Sequence, residues 1–191
     1  MKPRERILSI AADLFYAQGI RATGVDLIIA RAEVAKATFY RHFPTKDDLV
    51  VAFLVLRDSA WRDWLKQAVE RISADPMGRP LAVFDALGER FREQQFRGCA
   101  FVNTMVELAD RSHPAHVAAD NHKQAVIQYI KELLANHSCV NREQLARQLM
   151  MLMDGAIVCA VREGSDRAAQ SAKEVATVLI DHASTLTNQK E

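Results

Sequence analysis

Glycine and proline are scarce in this chain of 191 residues, seven and five respectively, and no stretch sustains the apolar-polar alternation that builds strands. With 49% of its residues hydrophobic and so few turn formers, the chain reads as all-α. Its three cysteines, Cys99, Cys139 and Cys159, are odd in number and far apart, which argues against a disulfide framework. No apolar run reaches the roughly 18 residues that span a membrane, and the N-terminal MKPRER lacks the apolar centre of a signal peptide. The expected location is therefore the cytoplasm, with no membrane partner. Enzyme signatures are also missing: there is no Gly-rich phosphate loop, G-x-S-x-G elbow, H-E-x-x-H or paired-cysteine motif. We expect neither enzymatic activity nor a cofactor. The length suffices to bury a sizeable core in one or two small domains.

Charge is nearly balanced overall, at +1, but it is unevenly placed. Residues 1–46 hold eight Lys or Arg against four Asp or Glu, which leaves −3 for the remainder. A basic head on a slightly acidic body suits a protein with one nucleic-acid-binding end, although an excess of four charges is also within chance variation.

That head contains the most informative stretch, TGVDLIIARAEVAKATFYRHFPTK (23–46). Val25, Ile28, Ile29 and Ala32 fall at helical spacing, and Thr23 is placed to cap that helix. A break at Glu33-Val34 precedes a second short helix, 35–42. Phe39 and Phe43, four apart, point inward, while Lys36, Ala37, Tyr40 and Arg41 form the outward face. Pro44 stops this helix and Thr45 caps the next. Cations meet phosphates and guanine edges, and a small Ala37 permits close approach, so this face suits a DNA major groove. The stretch reads as a helix-turn-helix. By position, Lys36, Ala37 and Arg41 are assigned to base edges, with Arg41 reading a guanine. Thr23, Thr38, Tyr40, His42 and Lys46 are assigned to phosphates.

The run VAKATFYRHFPTKDDLV resembles the DNA-binding signature of the TetR family of bacterial one-component regulators. The likeness covers about the first fifty residues and agrees in order, spacing and placement after two earlier helices. One position departs: the family usually has glycine at the turn, often at positive φ, where this chain has Glu33. The resemblance implies a three-helix DNA-binding head (1–47) and a six-helix body (48–191) for ligand binding and dimerisation. It further implies a regulator, by default a repressor, that binds a near-palindromic operator in double-stranded DNA and is released by a small-molecule effector.

Outside that stretch, helices are expected over 3–18, 45–73, a segment ending near 96–98, 98–110, 114–136, 141–163 and 167–187, with a loop over 73–80. The last two are long, closely linked and rich in Ala, Met and Leu. In the TetR family such a pair forms a four-helix homodimer interface; an intramolecular core pair is the other reading of the pattern. Two heads about one DNA turn or more apart would then read the operator. Candidate walls of a ligand box are Trp61, Trp64, Phe91, Cys99, Phe101, Asn103, Glu107, His122, Tyr129 and Met153. The same residues would furnish any helical core, and His122 could be a satisfied core histidine. Asn103 and Glu107, four apart, suggest a largely apolar effector with one or two hydrogen-bonding groups. Cys99, after Gly98 at a helix start, could be reactive or simply buried. His113, His116, Asp120 and His122 match no compact zinc spacing, so no metal is expected. The rival to a DNA-binding regulator is a helical binding or adaptor protein, which would leave the Lys36/Tyr40/Arg41 face without purpose.

Overall fold

A computed structural model describes residues 1–188, with side chains through residue 185, and contains no strand among them. The helices are α1 (Pro3–Gln18), α2 (Val25–Ala32), α3 (Lys36–His42), α4 (Lys46–Ile72), α5 (Arg79–Phe91), α6 (Ala100–Glu107), α7 (Pro114–Leu133), α8 (Arg142–Glu163) and α9 (Arg167–Asn188). Short 3₁₀ turns at Pro76–Gly78 and Leu134–Asn136 precede α5 and follow α7.

Helix ends follow local chemistry. Pro3 opens α1, and the Glu5 carboxylate accepts the Lys2 N–H at 3.1 Å. Gly19, at φ 90°, closes it. Thr45 and Asp48 cap α4 reciprocally: the Asp48 N–H donates to Thr45 Oγ1 at 3.1 Å, and the Thr45 N–H to the Asp48 carboxylate at 3.0 Å. Asn141 caps α8 through its side-chain oxygen, 3.0 Å from the Gln144 nitrogen. One expected cap is corrected. Gly24, not Thr23, stands at the N-cap of α2. The Thr23 hydroxyl instead points back, donating to the Gly19 carbonyl at 2.8 Å. A second difference lies in α5, which stops at Phe91 rather than near 96–98. Gln94 and Gln95 occupy the next inward positions, so another turn would bury no apolar side chain; Phe96 folds back on Phe91, ring centroids 5.0 Å apart.

The chain packs as two compact units. The first comprises Met1–Ala60 with Cys99–His122; the second comprises Trp61–Gly98 with the chain from Lys123. The first unit encloses one core of Ile7, Leu14, Phe15, Ile28, Phe39, Phe43, Phe53 and Phe101. Phe15 meets Phe53 edge-on at 5.7 Å. Burying each such side chain contributes about 1.5–3 kcal/mol, enough to hold helices too short to persist alone.

In the second unit α8 packs along α9, and α5 covers both. Gly88 brings α5 close to α9, since a Cβ there would lie 3.4 Å from that of Ala169. Lys173 on α9 grips both carboxylate oxygens of Asp85 on α5, at 2.8 and 2.7 Å, and Lys123 on α7 meets Asp154 on α8 at 2.6 Å. By length and mean hydropathy, 1.2 over an 18-residue window, α8 alone among the described helices could cross a membrane. Its stripe of Leu145, Leu149, Met153, Ile157 and Ala160 is buried within the unit, as a core helix requires.

Candidate nucleic-acid interface

Phe39 anchors α3: its ring is fully buried, and Phe43 follows it into the core. That pins the helix rotation and leaves Lys36, Ala37, Tyr40 and Arg41 exposed on the other side, with Thr38 and His42 half-buried at its margins. Tyr40 stands edge-on to Phe39, centroids 5.2 Å apart, which steadies its ring beside the exposed cations. Lys36 lies 3.7 Å from Asp26 on α2 with both side chains exposed, a pair too solvated to hold the lysine back from a phosphate. Arg4 places its guanidinium 5.1 Å from the centre of the Phe43 ring.

The turn into α3 is made by Glu33 at φ 49°, ψ 49°, the only non-glycine at positive φ among the described residues. Its N–H and that of Val34 return to the carbonyls of Ala30 and Ile29, closing the end of α2. The guanidinium of Arg6 reaches the Glu33 carbonyl at 3.1 Å and ties the turn to α1. No spacing rule would have paired Arg6 with Glu33, 27 residues apart in sequence.

The other DNA-side candidates are placed differently. Lys46, half-buried at the start of α4, donates one Nζ proton to the Ile20 carbonyl at 2.5 Å, and its remaining protons can meet a phosphate. Thr23 is wholly buried, with its hydroxyl donating to Gly19 and, more weakly, toward Leu14. That corrects its assignment to phosphate, because no side-chain surface is left to reach one.

The ligand-box candidates fall in both units. In the first, Cys99 caps α6, its Sγ 3.5 Å from the Val102 nitrogen. Phe101 stacks on His122, ring centroids 3.5 Å apart, and His122 Nδ1 sits 2.7 Å from the Asp58 carboxylate. His122 is thus a buried histidine with a polar partner. Asn103 is exposed, while Glu107 turns to the main chain of Ile20 and Arg21. Of the other histidines considered, His113 pairs with Asp47 at 3.2 Å, and His116 Nδ1 lies 3.2 Å from the Leu108 carbonyl.

In the second unit Trp61 and Trp64 are half-buried neighbours, centroids 5.8 Å apart, with the Arg90 guanidinium 4.9 Å over Trp64. Phe91 and Met153 are buried. Tyr129 opens onto a cleft of about 410 Å³ between α4 and α7, lined also by Arg62, Leu65, Lys66, Gln128 and Glu132. Burial, followed by the nearby Glu70 carboxylate, pushes the Tyr129 hydroxyl up to about 12.

Residues 7–53 match the sequence profile described as bacterial regulatory proteins, tetR family. A crystal structure of SCO4454, a TetR-family transcriptional regulator from Streptomyces coelicolor, is 34% identical. It superposes with a TM-score of 0.86 over 95% of this chain and 90% of that one. The HTH-type transcriptional regulator YjdC of Escherichia coli is 25% identical over 154 residues, 81% of each protein. The HTH-type transcriptional repressor NemR, also of Escherichia coli, is 26% identical over 134 residues, 70% of this chain and 67% of the relative.

Proposed function

This chain belongs to the TetR family of DNA-binding, helix-turn-helix transcriptional regulators, which are not enzymes, and we propose that it is a cytoplasmic repressor that binds a near-palindromic operator as a dimer. The observation that carries this reading is the face of α3, where Lys36, Ala37, Tyr40 and Arg41 are exposed while Phe39 and Phe43 lock the helix from behind. Arg41, Lys36 and Ala37 meet base edges, and Thr38, Tyr40, His42 and Lys46 meet phosphates. DNA contact is assigned to residues 1–47, and effector binding and dimerisation to 48–191. Repression is favoured because NemR is named a repressor.

Dimerisation through α8 and α9 is supported by their outward apolar residues: Met151 is 73% exposed, Val158 58% and Val178 66%, a surface that a helical partner would cover. The effector site is assigned to the second unit around Tyr129, where the cleft lies within the roughly 300–1,000 Å³ usual for small-molecule sites. An effector that filled it would release the operator by favouring a conformation with lower DNA affinity.

The test is fluorescence anisotropy of a labelled duplex from upstream of the protein's own gene, titrated at two salt concentrations. Saturable binding that survives excess random DNA and weakens with salt is the expected result; complete competition by random DNA would remove the operator reading. In the same assay Tyr40→Ala weakens binding to every duplex alike. Arg41→Ala also costs about 1–3 kcal/mol of discrimination at one base pair. Equal base preference in Arg41→Ala and the parent would refute its role as a reader.

A further inference from the structure

Three side chains close the loop 19–24, which carries the chain from α1 to α2, and one of them comes from far along the sequence. Thr23 Oγ1 donates to the Gly19 carbonyl at 2.8 Å, and Lys46 Nζ donates to the Ile20 carbonyl at 2.5 Å. Glu107, the last residue of α6, supplies the third tie. Its Oε1 accepts the Ile20 N–H at 3.1 Å, and its Oε2 accepts the Arg21 N–H at 2.7 Å. Residue 20 is therefore held at both polar ends, by a carboxylate on its N–H and an ammonium on its carbonyl, and both bonds are charge-assisted.

The loop is shaped for this grip. Gly19 lies at φ +90°, and a Cβ there would stand 3.0 Å from Glu107 Oε1, so a larger residue would strain the backbone and crowd the carboxylate. The Ile20 side chain is buried beneath it. Residues 19–21 lie past the end of α1 and before α2, so no helix pairs the N–H groups of Ile20 and Arg21, and Glu107 answers both.

We propose that Glu107 is a positioning residue for operator binding: its carboxylate fixes the α1–α2 loop and thereby the angle at which α2 and α3 are presented to DNA. It acts through the main chain of Ile20 and Arg21, not by touching DNA. The inference rests on the DNA-binding reading above, and it adds a residue well outside the 7–53 stretch that matches the family profile.

The test compares the parent, Glu107→Gln and Glu107→Ala at a temperature where circular dichroism shows all three fully helical. The probes are the duplex that the parent selects from a random-sequence pool and a scrambled duplex of equal length. Glutamine keeps one acceptor oxygen and alanine none, so affinity for the selected duplex should fall in steps, about threefold and then on the order of tenfold. Affinity for the scrambled duplex should stay within about twofold, because phosphate contacts do not need a fixed head angle. Amide exchange at Ile20 and Arg21 should quicken with the same grading while the interior of α1 is unchanged. Equal losses on both duplexes, with faster exchange throughout the first unit, would mark a purely structural role and overturn the proposal. Unchanged affinity beside loosened amides would overturn it equally. A parent that selects no duplex defeats the DNA-binding reading and this inference together, and that outcome is recognisable because it involves no variant.

Discussion

Glu33 occupies a backbone conformation that costs an L-residue about 1–2 kcal/mol relative to the right-handed region. The turn survives because Phe39 and Ile28 pin the helices on either side and Arg6 holds the Glu33 carbonyl. Glu33→Gly relieves the strain but adds freedom to the unfolded chain, so a net gain of about 0.5–1 kcal/mol is expected in denaturant unfolding. A loss of stability would mean that the glutamate side chain does something its neighbours do not reveal. Tyr129 makes a second prediction at this scale. An unfolded tyrosine ionises near pH 10, whereas this one holds its proton to about 12. Its folded value is raised, so its contribution is complete below about pH 10 and is lost as pH climbs through that window. Denaturant midpoints of the parent should therefore fall between about pH 10 and 12, and Tyr129→Phe should show a shallower decline. Parallel curves would remove Tyr129 from the account.

At the scale of elements, α4 shows how a long helix is started. Pro44 prevents α3 from continuing, and the reciprocal Thr45–Asp48 cap satisfies donors that the first turn leaves unpaired. Thr45→Ala should cost about 1 kcal/mol. Exchange should quicken first at the start of α4, whereas the same change spread evenly along the helix would point to global unfolding instead. The structure matches the sequence reading to within a residue or two for α1, α3, α4, α8 and α9. Each carries its own punctuation: Pro3 and Gly19, Pro44, Thr45, Asn141 and Gly164. Where local signals are thin, structure and sequence expectation part. The end of α5 depends on which residues find a surface to bury, and the role of Thr23 depends on the carbonyls behind it. The first is not written in a window of a few residues; the second is a choice between local partners, since Gly19 is only four residues from Thr23.

For the whole molecule, the outward apolar residues of α8 and α9 carry the prediction. Val158→Glu with Val178→Glu places two charges on that surface without entering the core. Sedimentation equilibrium should show a dimeric parent and a monomeric variant of equal helicity, with operator affinity reduced because two heads no longer act together. A parent that is itself monomeric would sink the dimer proposal.

The sequence by itself determined that the chain is helical, where its well-punctuated helices begin and end, and which side of α3 faces out. Those properties depend on spacing and capping within a few turns, and short-range sterics and hydrogen bonding settle them. It also carried the family signature, because the order of residues in a helix-turn-helix is local. Tertiary structure alone decided what the long-range partners would be: Arg6 on the Glu33 carbonyl, Phe101 stacked on His122, and Glu107 on the loop at Ile20. It divided the expected ligand-wall residues between two units, turned Thr23 inward and drew Cys99–His122 into the unit that holds the helix-turn-helix. A polar side chain takes whichever unpaired donor or acceptor the folded chain brings within reach, and no periodicity in the sequence encodes that meeting.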